Sequence, residues 1–374
     1  MKVSRLEPNQ AGVVDWPTLS VSKGSVVTVG EFDGVHRGHQ AVISRAVGLA
    51  RRQGDYAVAV MFEPRPKRVH RYAASHAMAD LPEELARQDD EALMGLDERI
   101  RLLGRMGIDR VLIVRYTMAF AAKSYRFFLG QMVRGLGMST LVLGRDARLG
   151  AGLKGDVVAI QALGQETGTF CLEVVDDMGP GYVDLTSEGE EAGPRVRVWS
   201  TSNARRLLSL GRVEDAEAVL GRPHIVEGEV IHGEQRGREL GYPTANLSRW
   251  HTGYMPADGV YAGWLVDMGP ADASKEGRLF DEEARLAAGS PWRWPAAISI
   301  GTKETFEDET GLRERVLEVN AVTSDWLELY GHRVRVEFLR HLRPQEKYSG
   351  AEALKVQLGL DAAQTLKVTG RDPR

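Results

Sequence analysis

The period of the hydrophobic pattern changes once along this chain, and that change limits the possible folds more than any other feature. Up to about residue 221, apolar runs at 26–30, 57–62, 111–114, 140–144 and 170–175 alternate with helically spaced stretches. Those stretches lie at 40–53, 97–107, 124–137 and from about 156; in the first, Val42, Ile43, Ala46, Val47 and Ala50 mark one face. Nearly continuous apolar strands separated by amphipathic helices predict an α/β unit, a parallel sheet buried on both faces. From about residue 222 the period becomes two. Val334, Val336 and Phe338 fall on one side of 333–338, with Arg333, Arg335 and Glu337 on the other. The runs 225–231, 259–266, 296–300 and 316–322 repeat that pattern. Short alternating strands with glycine-rich turns predict an antiparallel β-barrel or sandwich, closed by a terminal helix at about 351–358. Two short helical patterns, 203–210 and 213–220, precede the change, so the expected domains are 1–221 and 222–374. The stretches 73–91, 188–191 and 270–291 read as loops, the last as a polar surface excursion.

Composition narrows the class. The chain is 43% hydrophobic and 27% charged, enough apolar residue for a core in each half. A net charge of -4 gives no long-range pull toward nucleic acid or an anionic membrane, so neither is an expected partner. No run approaches the ~18 apolar residues of a membrane span, and the opening MKVSRLEPNQAGVVDWP lacks the apolar core of a signal peptide. Cys171 is the only cysteine, which excludes an internal disulfide and a thiolate-rich metal site and fits a reducing cytosol. A cytoplasmic protein, monomeric or a weak homo-oligomer, is expected.

Two stretches carry chemistry. Residues 29–39 read VGEFDGVHRGH, where an apolar strand hands over to a helix. A helix N-terminus offers unsatisfied N–H groups and about half a positive charge, so it attracts phosphate. Gly30, Gly34 and Gly38 let phosphate approach the backbone, and His36 and His39 can donate to its oxygens as charge builds during displacement. A tight turn with one histidine capping the helix is the other reading; the flanking strand and helix favour phosphate. The second stretch, HGEQRGRELGYPTANLS at 232–248, has Gly233, Gly237 and Gly241 for a backbone curled over phosphates and Arg236 and Arg238 for charge. Thr244 and Asn246 alternate around Ala245 and supply two neutral oxygens of the hard kind magnesium takes. A glycine-rich hairpin closed by Asn246 has the same composition. The remaining histidines lack metal-ligand spacing, and there is no G-x-x-x-x-G-K-[ST] or G-x-S-x-G.

VGEFDGVHRGHQAV resembles the nucleotide-binding signature of the nucleotidyltransferase superfamily, in the form carried by bacterial bifunctional riboflavin kinase/FMN adenylyltransferases, the FAD synthetases. MFEPRP (61–66), LGRDARLGAGLKGD (143–156), WSTSNAR (199–205) and LGRP (220–223) follow in the family's order. The string ending in P-T-A-N closely resembles the riboflavin kinase signature. The resemblance implies a Rossmann-like nucleotidyltransferase domain followed by a riboflavin kinase barrel. It implies that the barrel phosphorylates riboflavin to FMN with ATP, and that the first domain adenylates FMN to FAD with release of pyrophosphate, both with Mg2+. It assigns catalysis to His36, His39 and Glu318. Nucleotide or phosphate contacts fall to Gly30, Phe32, Asp33, Gly34, Gly38, Asp146, Arg148, Ser200, Thr201, Arg205, Gly233, Arg236, Gly237, Arg238 and Gly241. Flavin contacts fall to Tyr242, Pro243 and Arg343, and metal ligation to Thr244 and Asn246. Glu318 sits in a strand between apolar neighbours that face the other way; most strand glutamates are simply solvated, but the kinase reaction needs a carboxylate to take the hydroxyl proton.

The departures from the family pattern are specific. Glu31 stands where the family has asparagine or a small residue, and a carboxylate there disfavours a triphosphate unless magnesium or Arg37 screens it. Arg65 replaces the histidine of "PHP", Ala147 and Leu149 replace two aromatics, and Ser200, Thr201 and Ser202 present hydroxyls in altered order. Asn320, Ser299 and Glu304 replace histidine, asparagine and proline. A riboflavin kinase whose first domain has lost FAD synthesis therefore remains an alternative. A non-catalytic flavin- or nucleotide-binding module is a third, opposed by the P-T-A-N string and Glu318.

Overall fold

The computed structural model describes residues 1–176, 179–184, 195–232, 244–272, 282–303 and 314–370. The described residues form two compact units, one from Met1–Arg87, Leu96–Tyr182 and Arg197–Trp199, the other from Gln88–Gly95, Val183–Val196 and Ser200–Arg374.

The first unit is built on a six-stranded parallel sheet: β1 Lys2–Leu6, β2 Ser25–Val29, β3 Tyr56–Glu63, β4 Arg110–Arg115, β5 Met138–Gly144 and β6 Cys171–Val175. Its order is β1–β4–β3–β2–β5–β6, so the chain builds outward from β2 on one side and then crosses to the other. Every residue of β2 is buried, as expected of a β-branched strand covered on both faces. β1 was not legible as a strand. It has only one neighbour, β4, paired from Lys2↔Arg110 to Leu6↔Val114, and so lacks the apolar run of a central strand. Helix α1 (Arg37–Gln53) buries Ile43, Ala46 and Ala50, the face marked by the sequence. α2 (Tyr125–Leu136) and α3 (Val157–Thr167) start at Ser124 and Asp156, whose side chains accept from the N–H of Phe127 and Ala159. A further helix, Pro66–Ser75, runs into a stretch expected to be a loop; Pro66 at its first position is the start signal that was passed over.

In the second unit, α4 (Thr201–Ser209) and α5 (Val213–Leu220) lead into a closed barrel. Its strands are β7 His224–Ile231, β8 Thr244–Leu247, β9 Gly259–Pro270, β10 Arg293–Lys303, β11 Glu314–Ala321 and β12 His332–Arg343. The order is β7–β8–β11–β10–β9–β12, and β12 pairs back onto β7. Alternate residues, among them Val226, Ile298, Val319 and Val336, are fully buried, the outcome that the period of two demands. At Gly263 a Cβ would lie 1.8 Å from the Glu337 carbonyl oxygen, so only glycine permits the close approach of β9 and β12 there. Helix α6 (Ala351–Thr369) extends well beyond the expected 351–358. The expected excursion at 270–291 is not all surface. Arg285, in the short helix Glu282–Leu286, is buried; its Nη1 donates to the Asp267 carboxylate at 2.9 Å and its guanidinium lies 4.6 Å from the Trp292 ring. Residues 273–281 lie outside the described structure, as does the acidic 188–191. Among the described residues no helix is long and apolar enough to cross a membrane.

Candidate active sites

In an open parallel sheet, ligands gather outside the carboxyl ends of the strands where the strand order reverses. Here that point lies beyond β2 and β5, and it brings the segment after Val29 beside the segment after Gly144. Past β2 the backbone turns left-handed at Phe32 (φ 49), Gly34 (φ 78) and Val35 (φ 37) before His36 returns to an extended conformation. A β-branched residue at positive φ is strained and persists only where its surroundings impose it. The Val35 N–H donates to the Phe32 carbonyl at 3.0 Å, and Gln40 Nε2 donates to the Val35 carbonyl at 2.8 Å.

His36 is the N-cap of α1: its Nδ1 accepts from the His39 N–H at 3.3 Å. The cap therefore starts the helix at Arg37, three residues ahead of the apolar spacing. An accepting Nδ1 leaves the proton of the neutral ring on Nε2, the donor form that a phosphate oxygen requires. The His36 and His39 rings stack at 3.7 Å, and the buried Phe32 ring meets His39 edge-on at 5.4 Å. Capping and phosphate binding are thus compatible uses of one pair. A Cβ at residue 38 would press on the His36 ring at 3.1 Å and the Trp199 carbonyl oxygen at 3.2 Å, which accounts for Gly38. Beneath the loop, Asp33 and Arg65 are both 1% exposed and lie 3.8 Å apart. Arg99 Nη1 donates to the Glu31 carbonyl at 3.1 Å and Nη2 to the Glu63 carboxylate at 2.5 Å, tying the ends of β2 and β3 together.

Next to the loop is a cavity of about 270 Å³ lined by Gly30, Glu31, Phe62, Tyr116, Phe120, Lys123, Phe128 and Arg148, among others. Phe62 lies 5.6, 5.8 and 6.3 Å from Tyr116, Phe120 and Phe128, so the wall is aromatic although Ala147 and Leu149 are not. This wall was missed; the spacing of Tyr116 and Phe120 and the pair Phe127–Phe128 were its signal. Glu31 faces this cavity together with Tyr116. The Tyr116 phenol is pushed up by burial first and by the Glu31 charge second, and its hydroxyl is 3.1 Å from His70 Nε2. Asp146 lies 3.8 Å from Arg197 Nε, and Arg148 3.9 Å from Asp156.

Ser200, Thr201 and Arg205 group with the second unit. Ser200 caps α4 by accepting from the Asn203 N–H at 3.2 Å, Thr201 is the first helical residue, and Arg205 Nε donates to the Glu91 carbonyl at 2.6 Å.

In the barrel, Gly233, Arg236, Gly237, Arg238, Gly241, Tyr242 and Pro243 lie outside the described residues. The strand that follows them is described. Asn246 pairs with Glu318 and Glu318 with Ser299, while Thr244 pairs with Asn320. Residues directly opposite in antiparallel strands share a face, with Cβ atoms about 5 Å apart. Ala245, Leu247, Leu317 and Val319 turn into the core, so Thr244, Asn246 and Glu318 stand together, half-exposed, on the other face. A cavity of about 70 Å³ adjoins Thr244 and Asn246, and Val319, Trp326, Leu329 and Tyr330 also line it. Arg343 is held elsewhere. Its Nε and Nη2 donate to the two oxygens of Asp361 on α6 at 3.0 and 2.7 Å.

A doubly wound parallel sheet and a closed barrel, each with a cavity beside clustered polar groups, define a two-domain α/β-plus-barrel protein. The FAD synthetase family model matches residues 19–188 and the riboflavin kinase model residues 220–369. The bifunctional riboflavin kinase/FMN adenylyltransferase of Escherichia coli K12 is 31% identical over 340 residues, 91% of each chain. The Bacillus subtilis protein of the same description is 26% identical over 92% of each chain. The chain belongs to the bifunctional riboflavin kinase/FMN adenylyltransferase family. A crystal structure described as a macrolide-efflux protein from Streptococcus pneumoniae matches 97% of this chain and 98% of its own, with TM-score 0.71 and 24% identity, and shares the fold.

Proposed function

We propose that this chain makes FAD from riboflavin in two ATP-dependent steps, in the cytosol and with magnesium. In the barrel, the terminal hydroxyl of riboflavin attacks the γ-phosphate of ATP, giving FMN and ADP. Glu318 takes the hydroxyl proton, and Thr244 and Asn246 hold the metal–nucleotide complex. In the first domain, an FMN phosphate oxygen attacks the α-phosphate of ATP, giving FAD and pyrophosphate. The amides of loop 30–39 and the donors of His36 and His39 bind the phosphates and stabilise the charge that develops on them. The aromatic cavity beside Glu31 takes the flavin ring. FAD formation is assigned to the parallel-sheet part of the expected domain 1–221 and FMN formation to the barrel of 222–374, in keeping with the family matches at 19–188 and 220–369.

The residues present fit magnesium at the barrel site. Thr244 and Asn246 present hard oxygens on one accessible face beside Glu318. Among the described residues no group of three or more His, Cys, Asp or Glu is placed to hold a metal, so phosphates and water would complete its shell. When bound, the ion neutralises charge on the transferring phosphoryl group.

The observation that carries the reading is the alignment of Glu318 with Asn246 across one strand pair, in a chain that also matches the FAD synthetase model. Incubation of the purified chain with riboflavin, Mg2+ and ATP, followed by chromatographic resolution of the flavins, tests it. FAD is the expected product. FMN alone would leave only the kinase, and unchanged riboflavin would reject the reading.

A further inference from the structure

We propose that Ser299 and Gln345 form a subsite for the ribityl chain of riboflavin: the Ser299 hydroxyl donates to the substrate, and Gln345 is the positioning residue that turns it to do so. The inference rests on reading Glu318 as the base of the kinase reaction. Strand order carries it. β8, β11 and β10 are neighbours in that order, with Asn246 directly opposite Glu318 and Glu318 directly opposite Ser299. Ile298 and Ile300 are buried, so Ser299 turns to the face that Asn246 and Glu318 share. Glu318 thus has Thr244 and Asn246, the metal–nucleotide side, on one flank and Ser299 on the other. In-line transfer places the attacking hydroxyl and the leaving ADP on opposite sides of the γ-phosphate, so the flank toward Ser299 falls to riboflavin.

The hydrogen bonds of Gln345 fix where the serine proton goes. Gln345 Nε2 is 2.9 Å from the Ile300 carbonyl oxygen and 2.8 Å from Ser299 Oγ. A carbonyl only accepts, so the amide nitrogen must face it. The second N–H then goes to Ser299 Oγ, which is the acceptor of that bond. The Ser299 proton is left to donate, and among the described residues it meets no acceptor. Gln345 is itself held from two sides. Its side chain lies over Gly301, where a Cβ would come 3.4 Å from Nε2. Two residues earlier, Arg343 pairs with Val260 of β9 and donates through Nε and Nη2 to the buried Asp361 on α6. The family carries an asparagine at residue 299. Here a serine stands there, and the amide arrives from residue 345. Neighbouring strands are about 4.8 Å apart, a span that a polyol with its terminal hydroxyl at Glu318 covers with the hydroxyls next along its chain. Those oxygens take the Ser299 proton.

The test uses Ser299→Ala, Ser299→Thr and Gln345→Leu in the full chain. Each is assayed for FMN formation, with kcat and with KM for riboflavin and for ATP; conversion of supplied FMN to FAD is the internal control. Ser299→Ala is expected to raise KM for riboflavin about tenfold, the worth of one hydrogen bond, with KM for ATP and FAD formation within twofold. Gln345→Leu is expected to give a smaller rise, about threefold, because the hydroxyl keeps its proton but loses its direction. Ser299→Thr keeps the hydroxyl and is expected to recover most of the loss. Riboflavin analogues lacking the 3′- or the 4′-hydroxyl give a readout that a merely structural role would not move. With one of the two, Ser299→Ala is expected to cost nothing further. A rise in KM for ATP instead, an equal rise for riboflavin and both analogues, or a KM for riboflavin within twofold of the parent would overturn the inference. If Gln345→Leu does not fold, Ser299→Ala and the analogues decide alone, since the pairing of β10 with β11 does not use that side chain. A parent that makes no FMN, or a Glu318→Gln variant that still makes it, defeats the kinase reading instead, a result separate from an indifferent Ser299→Ala.

Discussion

Glu318 lies between buried Leu317 and Val319 but turns to the opposite face, so replacing it alters chemistry before packing. Glu318→Gln is expected to lower FMN formation by about 10²–10⁴, the usual worth of a general base, while supplied FMN is still converted to FAD. The reciprocal variant is His39→Ala, expected to lose about 10²–10³ in FAD formation with FMN formation intact. His36→Ala is a poorer probe, since it also deletes a helix cap worth about 1 kcal/mol. Separate assays of the two steps on each variant check the division; equal loss of both would contradict it. Glu31 calls for a different experiment. Its charge already acts on Tyr116 across the aromatic cavity, and it would repel a flavin phosphate entering there. Glu31→Asn is expected to lower KM for FMN several-fold, about 1 kcal/mol of relieved repulsion. Steady-state FAD formation measures it, and an unchanged KM removes the electrostatic argument.

At the scale of elements, sequence pattern and structure agree wherever both faces of an element have an assignment. The central strands and α1 were legible because burial on two sides leaves a continuous apolar run, and on one side a stripe. β1 was not, because this edge strand exposes Lys2, Val3 and Arg5 and so looks polar. The candidate sites divide the same way. His36, His39, Thr244, Asn246 and Glu318 announce themselves by residue type and spacing, whereas the wall of Phe62, Tyr116, Phe120 and Phe128 is assembled from three separate segments. Only the fold could reveal that Arg65 meets Asp33. At the start of β7, burial lowers the pKa of His224 to about 4, and its Nε2 is 2.6 Å from the Tyr254 carbonyl. The unfolded chain takes up this proton near pH 6.5 and the folded one near 4, so between those values protons favour unfolding. The contribution is fully present above pH 6.5, and about 3 kcal/mol is lost by pH 4. Urea midpoints are therefore expected to fall from pH 6.5 to 4, with a shallower fall in His224→Gln; parallel slopes would exclude this histidine.

For the whole molecule, two units with two cavities imply that FMN made at one site can serve the other after release into solution. A mixture of Glu318→Gln and His39→Ala proteins is accordingly expected to convert riboflavin to FAD, although neither does so alone. Chromatography of the mixture checks this, and absence of FAD would require direct transfer within one chain. The barrel has a further consequence outside catalysis. With β12 laced back to β7, the described barrel strands close on themselves and leave no edge strand in the barrel for a foreign strand to zip onto. In the barrel, templated strand addition must begin by tearing that seam.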